Sequence, residues 1–422
     1  METVKEKGKL HYGFLIVVCC CVFSFTSVAL LFGCAGIFYT PVSESLGISR
    51  GTFALTVTAM SLSSSVSMMF VSRLIERYKL KHILIAVLMM QAACFALQAT
   101  FKSVYPFYFT SVVMGFVSAY MTSTLNTVVL NRWFRKKVGF FIGLASSMTG
   151  LSGILINPLA GNFMTHFGWE KTYLLYAAIV AFIALPFAIF VFKDDPRDVG
   201  LKPYGIEELE RELAEHENAE DIHAVTGVPV EKAVRSSAFI YVVFSLMMIG
   251  SASSFVTFLP SYASSLGRSL AFAATLAGIS QIGTLVGKNT LGAISDKNTS
   301  VAVIIESGIA VAGLFLMMTF GSVSTLLMQA GAAMFGIIYA STVLNPLVVI
   351  EAFGIREYTK IQARISLING IVNAAMSSLW GFIADFNDGD FTMAIFLCAA
   401  FCIIGGVSAI IGMKKGRKLE RI

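Results

Sequence analysis

Residues 13–38 read GFLIVVCCCVFSFTSVALLFGCAGIF, an apolar run without a single charged side chain. About 20 such residues carry a helix across a bilayer, so the run is long enough to span one. It exceeds the roughly 7–15-residue apolar core of a secretory signal and lacks a convincing small-residue cleavage site, which makes it a retained helix. Comparable runs follow at 50–72, 82–100, 105–130, 138–164, 170–192, 236–262, 270–294, 300–320, 323–350, 361–384 and 391–413. The expectation is an all-α membrane protein of about twelve transmembrane helices.

Composition agrees with that pattern. The 422 residues are 56% hydrophobic and 13% charged, whereas a soluble domain carries about 25% charged residues to hydrate its surface. The net charge of +6 suggests nucleic acid until its placement is examined. With the amino terminus threaded inside, Arg50, Lys102, Lys171 and Arg268 fall outside and Lys288 falls within a helix; the rest of the 31 Lys and Arg lie inside. That asymmetry follows the positive-inside rule and predicts cytoplasmic termini in a plasma membrane, with no nucleic-acid partner. The seven cysteines all fall in apolar runs without metal spacing, so no metal site is expected.

The one long polar stretch, 193–235, divides the chain into a six-helix bundle over 1–192 and another over 236–422. Within it Ile206, Leu209 and Leu213 share one face of an acidic stretch, the pattern of a short surface helix. The bundles look like duplicates. Ser72-x-x-x-Glu76-Arg77 and Gly292-x-x-x-Asp296-Lys297 stand at an offset of 220, as do Gly161 and Gly381. Arg132-Trp133-Phe134 meets Glu351-Ala352-Phe353 at 219. Repeated halves around a central site are characteristic of secondary transporters.

These paired segments resemble the glycine-acid-basic signature of the major facilitator superfamily. Ser72, Glu76 and Lys79 depart from it, standing where the signature has glycine, aspartate and a second glycine. The resemblance implies a two-half fold with a central cavity, and a gating role for Glu76, Arg77, Asp296, Lys297 and Arg132 at the cytoplasmic helix ends. A finer resemblance rests on the run from Arg132 to Gly139, then Gly143-Leu144-Ala145, Gly168-Trp169, and Asp198-Val199-Gly200-Leu201-Lys202-Pro203-Tyr204-Gly205. Together these are similar to the monocarboxylate porter and oxalate/formate antiporter group. That likeness implies transport of a small organic anion, coupled to a proton or an exchanged anion, with no cofactor.

Lys288 is the most informative single residue. It precedes Asp296 by eight positions, roughly 12 Å along a helix. A charge at that depth costs about 2.5–3.5 kcal/mol on insertion scales, which marks it as functional by default. The resemblance sharpens this, because Gly287-Lys288-x-x-x-Gly292 fits a Gly-Arg-x-x-x-Gly pattern whose cation binds substrate carboxylate. Lysine keeps the attraction and loses the bidentate fork.

Glu306 is the one acid set well inside an apolar run. Counting along the helices puts it near the depth of Lys288, as a candidate counter-ion; a static pair and a proton carrier are both open readings. Tyr120 and Tyr339, near mid-segment in equivalent helices, are expected as opposed carboxylate donors. Asn369 and Asn373 join them where dicarboxylate carriers place a lysine, with substrate contact and helix packing both open.

All five histidines fall at helix ends or loops, and no P-loop or HExxH is present, which disfavours ATP-driven transport, a histidine relay and an intramembrane hydrolase. The chain is therefore expected to be a monomeric transporter rather than an enzyme. A transporter-like sensor is the alternative of another class, and it would carry a large signalling extension.

Overall fold

The computed structural model describes residues 11–121, 125–135, 138–206 and 227–420. Twelve helices run through them. They are α1 (Gly13–Leu46), α2 (Arg50–Arg77), α3 (Leu80–Gln98), α4 (Val104–Ala119 and Leu125–Trp133), α5 (138–167) and α6 (169–191). The second set is α7 (Ser237–Ser265), α8 (Leu270–Ser295), α9 (Lys297–Phe320), α10 (Thr325–Phe353), α11 (Tyr358–Phe386) and α12 (Thr392–Gly416). No strand occurs among the described residues.

Length and apolarity alone qualify nine described stretches to cross a membrane. That number counts α5 and α6 as one run and does not include α2 or α4, in each of which some residues lie outside those described. The sharp turn between α5 and α6 uses Gly168 at φ 86°, a conformation that favours glycine. Leu209 and Leu213, expected on a linker helix, lie outside the described residues, as do Lys136 and Lys137.

The first six helices meet the last six along two seams, α2 against α11 and α5 against α8, joined by α1 against α7 at one end. Small residues let the backbones approach, which is how helices associate in lipid. A Cβ at Gly381 would stand 2.7 Å from the Gly51 Cα, and one at Gly161 would collide with Ala274. Along α5 the contact then loosens steadily. A Cβ at Gly153 would meet the Gln281 Cγ at 2.5 Å, one at Gly150 would lie 3.8 Å from the Gln281 carbonyl, and one at Gly143 would meet nothing within 4 Å. The two sets therefore close at the end away from the linker and part toward the linker end.

The motif residues at the linker end have a mechanical use. The Arg135 amide donates to the Tyr204 carbonyl at 2.9 Å and the Tyr204 amide to the Trp133 carbonyl at 2.8 Å, so the 198–205 segment is zipped onto the end of α4. Phe14, Phe134 and Tyr204 pack into one aromatic cluster beneath it. The far end of the linker does the same in the second set, where the Val228 amide donates to the Phe353 carbonyl at 2.7 Å. The repeated Arg-Trp-Phe and Glu-Ala-Phe segments are thus the two docking points of the linker.

Asp194, just past α6, accepts from the Lys81 amide at 2.8 Å and caps the start of α3. Burial pushes its carboxyl above the ordinary range, while the Lys81 amide and the nearby Arg132 favour the charged form. In the second set the corresponding charges are reversed, with Arg417 paired to Glu351. Asp194→Ala is expected to lower stability by about 1 kcal/mol, the usual cost of a lost helix cap, and Asp194→Asn by less. Thermal unfolding of the two variants in one detergent checks the order; equal losses would reject the cap.

Candidate functional site

Three helices break their regular hydrogen bonding where the two sets meet. A short 3₁₀ segment interrupts α1 at Gly36–Phe38, α7 at Phe255–Phe258 and α10 at Ile337–Ala340. Such segments often mark hinges. Gly36 abuts the Thr257 carbonyl, the Thr40 Oγ1 donates to the Ser261 Oγ at 3.0 Å, and the Tyr39 and Phe258 rings pack at 4.9 Å. These contacts seal the end away from the linker. A further lock sits on the α2 and α11 seam, where the Gly51 amide at the start of α2 donates to Asp385 at 2.8 Å.

Below the seal lies a small pocket between the two sets, lined by Gly33, Thr257, Gln281 and Tyr339 among others. Tyr339 therefore stands at the interface as its sequence position suggested. The tyrosine beside it is Tyr39, whose hydroxyl also neighbours Thr257. Tyr120 follows the Val104–Ala119 part of α4, stacked on Phe116 at 6.5 Å, and its hydroxyl is buried without a partner among the described residues. No contact among the described residues joins Tyr120 to Tyr339.

Gln281 packs against α5, and Lys288 follows it by seven residues, hence on the same helix face and about 10 Å nearer the linker. At that level α5 offers the open space at Gly143 and the exposed Ser146. Lys288 is half-buried and makes no hydrogen bond or ion pair with any described group. An unpaired ammonium thus faces the widening gap.

Glu306 is not its partner. The carboxylate is turned away from α8 into the second set, beside the Ser341 amide of α10 and the Cys402 thiol of α12. The helix count gave its depth correctly as a buried site but could not give its direction.

Asn369 and Asn373 bond to each other at 3.2 Å and crowd Gly250, so they form the seam between α7 and α11. At the linker end Arg77 and Lys297 are exposed, and Arg132 is half-buried beside Asp194. The side chains of Glu76 and Asp296 lie outside those described. Sequence reasoning missed Tyr39 and Asp385, which sit at helix ends where an aromatic or an acid is unremarkable.

The family profile described as Major Facilitator Superfamily matches residues 18–350. Among curated proteins, an uncharacterized MFS-type transporter, YcxA of Bacillus subtilis (strain 168), is 20% identical over 160 residues, 38% of this chain and 39% of that protein. Among solved structures, a mutant of the nucleoside transporter NupG superposes with a TM-score of 0.72 at 11% identity, covering 95% of this chain and 99% of that one. A bacterial homolog of the human lysosomal transporter Spinster, inward-facing and occupied, gives 0.67 at 13% identity over 97% and 98%. A D-xylose-proton symporter gives 0.65 at 12% over 96% and 98%. At these identities the likeness is one of fold.

Asp385→Ala is expected to weaken the lock on α2 by about 1 kcal/mol, a roughly fivefold shift toward opening at the sealed end. A cysteine placed at Ser261 reports it through labelling by a membrane-impermeant maleimide, since the native cysteines are buried or half-buried. Unchanged labelling would show that the cap does not bias the state.

Proposed function

The chain belongs to the Major Facilitator Superfamily, and from that premise we propose that this multi-pass membrane transporter carries a small monocarboxylate or related organic anion by alternating access. The observation that carries the reading is Lys288, a cation without a partner on the α8 face that looks into the gap. An ammonium in a narrowing, low-dielectric space gains most from a ligand of opposite charge. Tyr339 stands deeper between the two sets as a hydroxyl donor, and Asn369 and Asn373, bonded to each other on α11, are the further polar groups assigned to the solute's path.

The gating role falls to the linker end, now parted. Arg77 with Glu76, Lys297 with Asp296, and Arg132 would brace neighbouring helices there in the opposite state. With both termini in the cytoplasm of a plasma membrane, the present state opens inward. One unpaired cation favours a single carboxylate over a dicarboxylate, which ranks monocarboxylate transport ahead of oxalate-type exchange.

Purified protein in liposomes tests the reading. Saturable uptake is expected for one or more of formate, acetate and lactate, and Lys288→Ala should reduce it by on the order of tenfold or more while Lys288→Arg retains part. Saturable uptake of glucose that Lys288→Ala leaves unchanged would reject the anion.

A further inference from the structure

Between Phe32 and Tyr39 the hydrogen-bond ladder of α1 lacks two rungs. In an unbroken helix the Gly33 carbonyl would accept from the Ile37 amide and the Cys34 carbonyl from the Phe38 amide. No backbone donor reaches either carbonyl among the described residues, and the Phe38 amide turns instead to the Ala35 carbonyl at 3.2 Å. Side chains from two other helices stand in. The Asn157 Nδ2 of α5 donates to the Gly33 carbonyl at 3.0 Å, and the Tyr176 hydroxyl of α6 donates to the Cys34 carbonyl at 3.4 Å. Both residues are 0% exposed, so water does not compete for these carbonyls. A side chain inserted into the backbone ladder bends a helix, and here two do so at successive residues.

The bent segment shapes both the seal and the pocket beneath it. It carries Gly36 onto the Thr257 carbonyl and, one turn on, Thr40 to Ser261. Gly33 and Gly36 line the pocket between the two helix sets. Behind them Phe38 is seated in the first set, stacked on Tyr173 at 4.0 Å and edge-on to Tyr176 at 5.4 Å. The residue after Asn157 faces the other way. A Cβ at Gly278 of α8 would stand 3.2 Å from the Pro158 ring and 3.3 Å from the Ile154 carbonyl, which a proline at 158 deprives of its helical donor. Helix α5 therefore grips the α1 break with one residue and rests on the second set with the next.

We propose that Asn157, seconded by Tyr176, is a positioning residue of the transport cycle: its amide holds α1 bent and the seal closed. When it lets go, the Ile37 and Phe38 amides recover the Gly33 and Cys34 carbonyls, α1 straightens, and the sealed end opens. Neither side chain touches the transported solute. The inference rests on the transport reading, but not on Lys288 or the solute's charge.

Labelling of the full chain in nanodiscs by a membrane-impermeant maleimide, with no solute present, tests it. One reporter is a cysteine placed at Ser261 in the seal, and the other, in a separate protein, is a cysteine placed at Ser146 in the parted gap. Asn157→Leu is expected to speed labelling at 261 roughly fivefold and to slow it at 146, since one opening closes the other. Tyr176→Phe, which loses only the longer bond, should act in the same direction by about twofold. Asn157→Gln keeps the amide donor and should stay near the parent. Faster labelling at both reporters would mean a loosened fold and overturns the proposal, as does unchanged labelling at 261 in Tyr176→Phe and Asn157→Leu. Removing one oxygen in Tyr176→Phe keeps the test open should Asn157→Leu fail to fold, and loss of the anion reading leaves both outcomes in force.

Discussion

Hydrocarbon offers no water to the backbone, and everything else in this molecule answers to that constraint. Each amide and carbonyl within the bilayer must be bonded inside its own helix or against protein. Helices α3 and α12 accordingly run unbroken, as does α9 after Asn298. The irregular turns of α1, α7 and α10 lie where another helix covers them: Gly36 rests on the Thr257 carbonyl, and Gly336 lies against the Ser280 carbonyl at the start of the α10 turn. The 3₁₀ turns thus gather on the meeting surface of the two helix sets, while the wider π-helical turns of α6 at Val180–Ala184 and Phe187–Val191 pack within the first set alone.

The same surface is graded by side-chain size. Lipid tails are as apolar as leucine, so helices associate through close packing rather than hydrophobic burial. Along α5 and α8 that packing is tight at Gly161, intermediate at Gly153 and absent at Gly143. A seam that is tight at one end and loose at the other is a hinge by construction. Lys288 sits just past the point where the seam lets go, which reconciles its charge with its depth: it reaches an open gap rather than lipid.

The fold was legible because the bilayer imposes a length on every helix and a sign on its flanks. Apolar runs and lysine placement were enough to find twelve segments, α2 and α4 among them. The site was legible only in part. Counting residues gives depth along an axis, and it found Lys288, Tyr339 and the burial of Glu306. It does not give rotation about that axis, so Glu306 was expected beside Lys288 and instead faces Ser341 and Cys402. Tyr120 was matched to Tyr339 by position in equivalent helices, yet Tyr39 from a different helix stands beside Tyr339. The Arg-Trp-Phe and Asp-Val-Gly segments carried a family likeness; that they dock on each other needed coordinates, because a pairing between residues 70 apart leaves no periodicity to read.

The separation of Lys288 from Glu306 has a physical consequence under the proposed reading. Had they paired, the empty carrier would be neutral at its centre and free to change state. Unpaired, Lys288 must be enclosed as a bare charge whenever the empty gap closes over it, at a cost that a bound carboxylate removes. Closing is then favoured when an anion is bound and resisted when none is. A carrier of this kind turns over most readily loaded in both directions, so exchange should outpace net uptake.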